Sequence, residues 1–295
     1  MKQTIFTGMA TAMVTPMTGS GVDYEALEKF IEFQISSGIN ALVAVGTTGE
    51  SATLSPDERR EVIRFTVDHV NGRVPVIAGT GTNNTAHAIE YSVSACRDGA
   101  DALLVVTPYY NKATQNGLMA HYDAIADAVD KPIILYNVPS RTGCNLLPST
   151  IEKLADHENI AAVKEASGNM AQVVELFARC GDKIDVYSGE DALTVPMMAM
   201  GAKGAISVLS DVVPDQAVQM TDAALAGHFK TASQMQCRFL PLIQALFSEV
   251  NPIPVKAAVS AMGYGEEDIR LPLTPMEPDN RRVLFAEMRK LGVNV

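Results

Sequence analysis

The sequence predicts an α/β fold, a (β/α)8 TIM barrel with a C-terminal helical extension, and three observations predict it. Eight short apolar runs, too short for helices and rich in Val and Ile, recur at intervals of about 20 to 33 residues. Each is followed by a longer segment with helical periodicity. The alternation ends near Val213, beyond which helical segments and proline-rich breaks remain.

The first run is Met9 to Val14. The helix after it is read from Leu27, Phe30, Ile31 and Ile35, which recur at helical spacing between Asp23, a good N-cap, and Gly38, a good terminator. The second run, Ala41 to Val45, leads to Ser55-Pro56-Asp57-Glu58. That tetrapeptide combines a capping box, a proline at the first helical position and acidic residues in the first turn. It opens a helix whose Val62, Ile63, Phe65 and Val67 are expected to face the sheet. The remaining runs are Val74 to Ala78, Ala102 to Val106, Pro132 to Tyr136, Ile160 to Lys164, Ile184 to Tyr187 and Gly204 to Val208. Residues 1–225 are read as the barrel. Residues 226–295 are read as a helical extension packed on it, broken at Asn251-Pro252-Ile253-Pro254 and Leu271-Pro272-Leu273-Thr274-Pro275. No low-complexity linker separates the two, so independent motion is not expected.

Composition narrows the function classes. A net charge of −11, with no Lys/Arg cluster, argues against nucleic acid or an anionic membrane surface as a partner. The segment Met1 to Ala10 lacks the pattern of a secretory signal, and no apolar stretch approaches the ~20 residues of a membrane span. Cys96, Cys144, Cys180 and Cys237 have no paired spacing and read as reduced thiols of a cytoplasmic protein, neither disulfide framework nor metal site. The five histidines, His69, His87, His121, His157 and His228, show no metal-ligand spacing, so no metal is expected. No Gly-x-Ser-x-Gly elbow points to a serine hydrolase.

Active sites of such barrels are built from the carboxyl ends of the strands. Lys164 closes the run Ile160-Ala161-Ala162-Val163 and is the lysine that sits at the carboxyl end of one of the eight runs. Lys131 and Lys203 precede their strands, on the opposite rim. A buried amine is driven toward its neutral, nucleophilic form and can attack a ketone to give a Schiff base. The bland alternative is a strand-end ammonium reaching water. Gly46-Thr47-Thr48-Gly49-Glu50-Ser51 offers backbone N–H groups and two hydroxyls for a small carboxylate or phosphate, though a simple tight turn reads the same way. The pair Gly79 and Gly81 lacks the third glycine of a dinucleotide fingerprint and reads as turn geometry. Tyr136, one strand from Lys164, is a candidate proton carrier or a barrel-filling aromatic. Arg141 is a candidate carboxylate fork or a solvated loop cation.

These residues resemble the dihydrodipicolinate synthase family, also called 4-hydroxy-tetrahydrodipicolinate synthases. The resemblance starts at Ala12-Met13-Val14-Thr15-Pro16 and runs through the helical tail. It is carried by Gly46 to Ser51, Tyr109-Tyr110, Tyr136-Asn137-Val138-Pro139-Ser140-Arg141-Thr142-Gly143 and Val163-Lys164-Glu165. It implies a class I, metal-free condensation of pyruvate with L-aspartate 4-semialdehyde, with no cofactor beyond the covalent Schiff base. Lys164 would form that base, Tyr136 would carry protons, and Thr47 and Tyr110 would complete the relay. The tyrosine at Tyr110 would come from a neighbouring subunit, implying a dimer, usually within a tetramer. Thr48 and the Ile206 backbone match pyruvate-binding positions, with Gly189 near them, and Arg141 matches the residue that grips the semialdehyde's carboxylate.

Two other readings stand beside this one. N-acetylneuraminate lyases and 2-keto-3-deoxy sugar acid aldolases share the lysine and tyrosine but typically lack the Ser-Arg-Thr-Gly sequence. A non-enzymatic barrel that senses a keto acid would leave the co-occurrence of lysine, tyrosine, threonine and arginine at one rim unexplained. The resemblance also implies an effector site at Asn83, His87, Ala52, Arg59 and Tyr109. Lysine-inhibited relatives carry a glutamate at His87 and a histidine at Arg59, so weak or absent feedback by lysine is expected here.

Overall fold

The computed structural model of the protein describes residues 2–295; Met1, the first residue of the expected barrel range, lies outside the described residues. Eight parallel strands close into a barrel: β1 Gly8–Ala12, β2 Ala41–Ala44, β3 Val76–Gly79, β4 Ala102–Val106, β5 Ile133–Asn137, β6 Ile160–Glu165, β7 Asp185–Ser188 and β8 Gly204–Ser207. β1 pairs with both β2 and β8, which leaves no edge. Outside the barrel follow α1 Tyr24–Ser36, α2 Pro56–Val70, α3 Thr85–Arg97, α4 Gln115–Ala126, the one-turn α5 Pro139–Thr142, α6 Pro148–Leu154, α7 Met170–Cys180, α8 Thr194–Ala199 and α9 Pro214–Leu225. The chain then runs through α10 Phe229–Leu246, α11 Ile253–Ala261 and α12 Pro278–Lys290.

Every predicted run falls on a barrel strand, and β4 has the predicted ends. Elsewhere the ends shift by one or two residues. β1 stops at Ala12, and β3 starts at Val76, where Asp101 accepts from the Val76 N–H at 2.9 Å. A hairpin of two-residue strands, Met17–Thr18 and Gly21–Val22, was not predicted, because so short a strand carries no periodicity.

The helix signals act as read. Asp23 accepts from the Ala26 N–H at 3.0 Å, and Ser55 and Glu58 close both halves of the capping box. The inward face of α2 differs from expectation. Val62 and Ile63 are buried as predicted, but Thr66 and Val70, not Phe65 and Val67, complete the buried face. The spacing 62, 63, 66, 70 is the helical stripe, and Thr66 is tolerated inside because its hydroxyl donates to the Val62 carbonyl at 2.7 Å.

Alternate strand residues fill the barrel interior, among them Ala10, Ala12, Val43, Ile77, Leu104, Ile134, Ala162 and Ile206. Phe6 and Tyr187 stack at 4.2 Å between centroids and close the amino-terminal floor. With the floor closed and the middle filled by small and branched side chains, the open space lies at the carboxyl rim. The register there sets Tyr136 beside Lys164 and Lys164 beside Tyr187. Since both Tyr136 and Lys164 are even-numbered residues of inward-facing series, their side chains enter the barrel together.

Candidate active site

A cavity of about 730 Å³ opens at the carboxyl rim and is lined by Thr47, Thr48, Tyr136, Arg141, Lys164, Gly189 and Ile206, together with residues of the C-terminal extension. Seven of the eight predicted catalytic and substrate residues therefore meet in one space. Tyr110 does not. It is 90% exposed, its backbone sits at φ +69°, and its ring lies outside the cavity of its own chain.

Lys164 is 5% exposed, so the alternative of an ammonium reaching open water does not describe it. Its Nζ lies 4.4 Å from the centroid of the Tyr136 ring. Burial drives its pKa down to about 8; the Asp191 carboxylate opposes that shift, and Arg141 adds to it. Burial also pushes the Tyr136 phenol up to about 12, so the phenol is held as a proton donor at neutral pH. Gly189 explains itself sterically, because a Cβ there would stand 2.8 Å from Lys164 Cε. Only a glycine lets β7 run this close to the lysine stem.

Three carboxylates, Asp191, Asp211 and Glu190, act electrostatically on the lysine. Asp191 is buried and accepts from the Val208 and Leu209 N–H groups at 3.0 and 2.9 Å. Asp211 accepts from the Val14 N–H at 3.2 Å, and burial pushes its pKa well above the usual carboxylate range. Glu190 lines the cavity and is also shifted upward by burial. Behind the strand ends, Asn137 donates to Glu165 at 2.9 Å, and the Glu165 carboxylate accepts from the Ser167 N–H at 2.6 Å. That network pins the residues next to Tyr136 and Lys164.

The extension supplies what the rim residues alone did not reveal. Asn251, between α10 and α11, donates to Thr48 Oγ1 at 3.0 Å, and its carbonyl accepts from Arg141 Nη2 at 3.2 Å. Asn251 thus ties the predicted pyruvate and semialdehyde positions together from a segment more than a hundred residues away from either.

The cavity combines a buried amine, a phenol one strand away, a hydroxyl-rich turn and a guanidinium, which is equipment for imine chemistry on a small keto acid. A model of the Dihydrodipicolinate synthetase family matches residues 5–291. The chain belongs to this family. The 4-hydroxy-tetrahydrodipicolinate synthase of Geobacter sulfurreducens is 53% identical over 97% of this chain and 99% of its own length. The solved dihydrodipicolinate synthase of Aquifex aeolicus superposes with a TM-score of 0.96 at 46% identity, covering 98% of this chain and 99% of that one. The chloride-inhibited dihydrodipicolinate synthase of Acinetobacter baumannii, solved in complex with pyruvate, gives a TM-score of 0.96 at 44% identity and covers 99% of this chain and 100% of that one.

A second cavity of about 420 Å³ lies beside the first. It is lined by Ala52, Arg59 and Tyr109 of the expected effector site, and it shares Thr47 and Arg141 with the active-site cavity. Asn83 and His87 do not line it. Arg59 is buried, stacks 4.3 Å above the Tyr91 ring, and donates to the Ser51 and Gly79 carbonyls at 2.7 and 2.8 Å. Among the described residues no group of three or more His, Cys, Asp or Glu is arranged to hold a metal, and no helix is long and apolar enough to cross a membrane.

Proposed function

We propose that the protein is a lyase that condenses pyruvate with L-aspartate 4-semialdehyde to give 4-hydroxy-tetrahydrodipicolinate, in the diaminopimelate route to lysine, in the cytoplasm. The observation that carries this reading is the buried Lys164 amine at the barrel mouth, facing Tyr136 and the Thr47–Thr48 turn. Lys164 attacks the ketone carbon of pyruvate and water leaves, giving an iminium. Loss of a methyl proton then gives an enamine, whose developing charge is delocalised onto the cationic nitrogen. The enamine carbon attacks the aldehyde and forms the new C–C bond. The semialdehyde's own amine next adds to the imine carbon and expels Lys164, closing the ring and restoring the enzyme.

Each role follows from chemistry. Thr48 and the Thr47–Thr48 backbone receive the pyruvate carboxylate, beside the Ile206 backbone and Gly189. Arg141 grips the carboxylate of the semialdehyde as a planar fork. Tyr136 passes protons within hydrogen-bond reach of the reacting atoms, with Thr47 and Tyr110 as its relay. Tyr110 serves the site of a second copy of the chain, which accounts for an exposed tyrosine held in a left-handed backbone conformation that costs about 1–3 kcal/mol. The assembly is a dimer of dimers.

No resident metal or organic cofactor takes part. Lysine inhibits weakly or not at all, because His87 and Arg59 stand where lysine-inhibited relatives carry a glutamate and a histidine, which removes the main attraction for an effector's ammonium. Half-inhibition at submillimolar lysine would contradict this.

A coupled assay with pyruvate and aspartate semialdehyde, run beside N-acetylmannosamine and glyceraldehyde as alternative acceptors, tests the function. Turnover is expected with the semialdehyde alone. Turnover with a sugar and none with the semialdehyde overturns the reading.

A further inference from the structure

The turn that carries Thr47 and Thr48 is bracketed by unusual backbone. Val45 and Glu50 sit at φ +55° and +57°, values that a β-branched or long side chain rarely adopts. Such residues persist where their surroundings over-determine them. The barrel fixes one side of the turn: Thr15 Oγ1 donates to the Gly49 carbonyl at 2.8 Å, and Gly79 lies so near Val45 that a Cβ would stand 2.2 Å from the Val45 carbonyl oxygen. The C-terminal extension fixes the other side. Asn251 donates to Thr48 Oγ1 at 3.0 Å, Lys256 Nζ pairs with Glu50 Oε1, and the Arg270 backbone N–H donates to Glu50 Oε2 at 3.2 Å. Arg270 also donates to the Thr53 carbonyl at 2.9 Å and pairs with Glu58, so the whole stretch from the turn to the start of α2 is held by the extension.

The Glu50 and Lys256 side chains are each 2% exposed. Desolvation offsets much of the attraction in such a pair, so it is a weak source of net stability. Its geometric consequence is larger. Both carboxylate oxygens of Glu50 are committed to the extension, and Glu50 is two residues from the hydroxyl that faces the substrate cavity.

We propose that Glu50 and Lys256 are positioning residues for pyruvate, through which the extension holds the Thr47–Thr48 turn in the conformation that receives the keto acid's carboxylate. The proposal rests on the reading of this cavity as a pyruvate site.

The test is the paired substitution Glu50→Gln with Lys256→Met in the full chain, which removes both charges together at nearly constant volume. Circular dichroism and thermal unfolding establish its fold. KM for pyruvate is expected to rise roughly tenfold, the scale of one weakened hydrogen bond to a charged group. The kcat value should fall by a smaller factor than KM rises, because Thr47 of the relay rides on the same turn, and KM for the semialdehyde should not move. Borohydride trapping on Lys164 should need correspondingly more pyruvate yet reach the same end point. Glu50→Asp serves as a second variant: it keeps the charge, shortens the reach by one methylene, and should shift pyruvate KM in the same direction. Unchanged pyruvate dependence in a folded variant overturns the proposal, as does an equal rise in KM for both substrates. If the unsubstituted protein traps no pyruvate, the functional reading fails as well, so the two failures are distinguishable.

Discussion

The barrel mouth and the seam beside it each bury a lysine, and the two are buried for different reasons. Lys164 sits one residue before the end of β6 among aromatic, aliphatic and hydroxyl neighbours, with no ion-pair partner among the described residues. Lys256 lies within α11 and meets the Glu50 carboxylate directly. Burial lowers the pKa of both, but at Lys256 the adjacent carboxylate pulls it back, whereas at Lys164 the opposing carboxylates stand farther off and leave it at about 8. A buried amine with a partner is a structural strut; one denied a partner is a nucleophile in waiting. The lowering of Lys164 from 10.5 to about 8 corresponds to a cost of about 3 kcal/mol borne by the folded protein at neutral pH.

Substitution should separate the two lysines in both activity and stability. Lys164→Met is expected to abolish the borohydride-trapped pyruvate adduct and turnover, and to raise folding stability by about 3 kcal/mol at pH 7, since the burial cost disappears. Loss of stability in denaturant melts would mean that the ammonium is better solvated than its neighbours allow, and the contrast would break. Lys256→Met should act in the opposite sense on stability. It strands the Glu50 carboxylate in the interior and should cost about 3–5 kcal/mol, most of which the added Glu50→Gln change should restore. A single substitution as mild as the double one would make the seam no more than a packed face.

The same contrast marks how much was legible in the sequence. Lys164 was found because a lysine closes an apolar run at the rim where barrel chemistry occurs. Lys256, inside Ile253-Pro254-Val255-Lys256-Ala257-Ala258-Val259, was not singled out, because it closes no strand at the rim and its segment reads as a helix beyond the barrel. What the sequence does not carry is the partner: Glu50 is separated from Lys256 by most of the barrel, and no periodicity links them. Asn251 was hidden for the same reason, its proline-rich surroundings reading only as a helix break. Strand number and order were readable because each βα unit is local, and the seven rim residues gather in one cavity because closure of the barrel brings every strand end to one mouth. Tyr110 was readable only through family resemblance, since within one chain its ring reaches nothing in the cavity.

The smallest effect isolates the cause of the Lys164 cost. In the folded protein Lys164 gives up its proton near pH 8, and in the unfolded chain near 10.5. Between those values the unfolded chain holds the extra proton, so this residue makes stability climb with pH through that window and contributes a constant penalty below it. From pH 7 to pH 9 the climb is on the order of 1 kcal/mol. Lys164→Met has no such group and lacks the climb, while Lys256 titrates alike in both proteins and cancels. The stability gap between variant and unsubstituted protein should therefore shrink by roughly two-fifths between pH 7 and pH 9 in paired denaturant melts. A gap that stays constant would show that Lys164 keeps its proton up to pH 9, and a lysine still protonated there is a poor nucleophile for the imine.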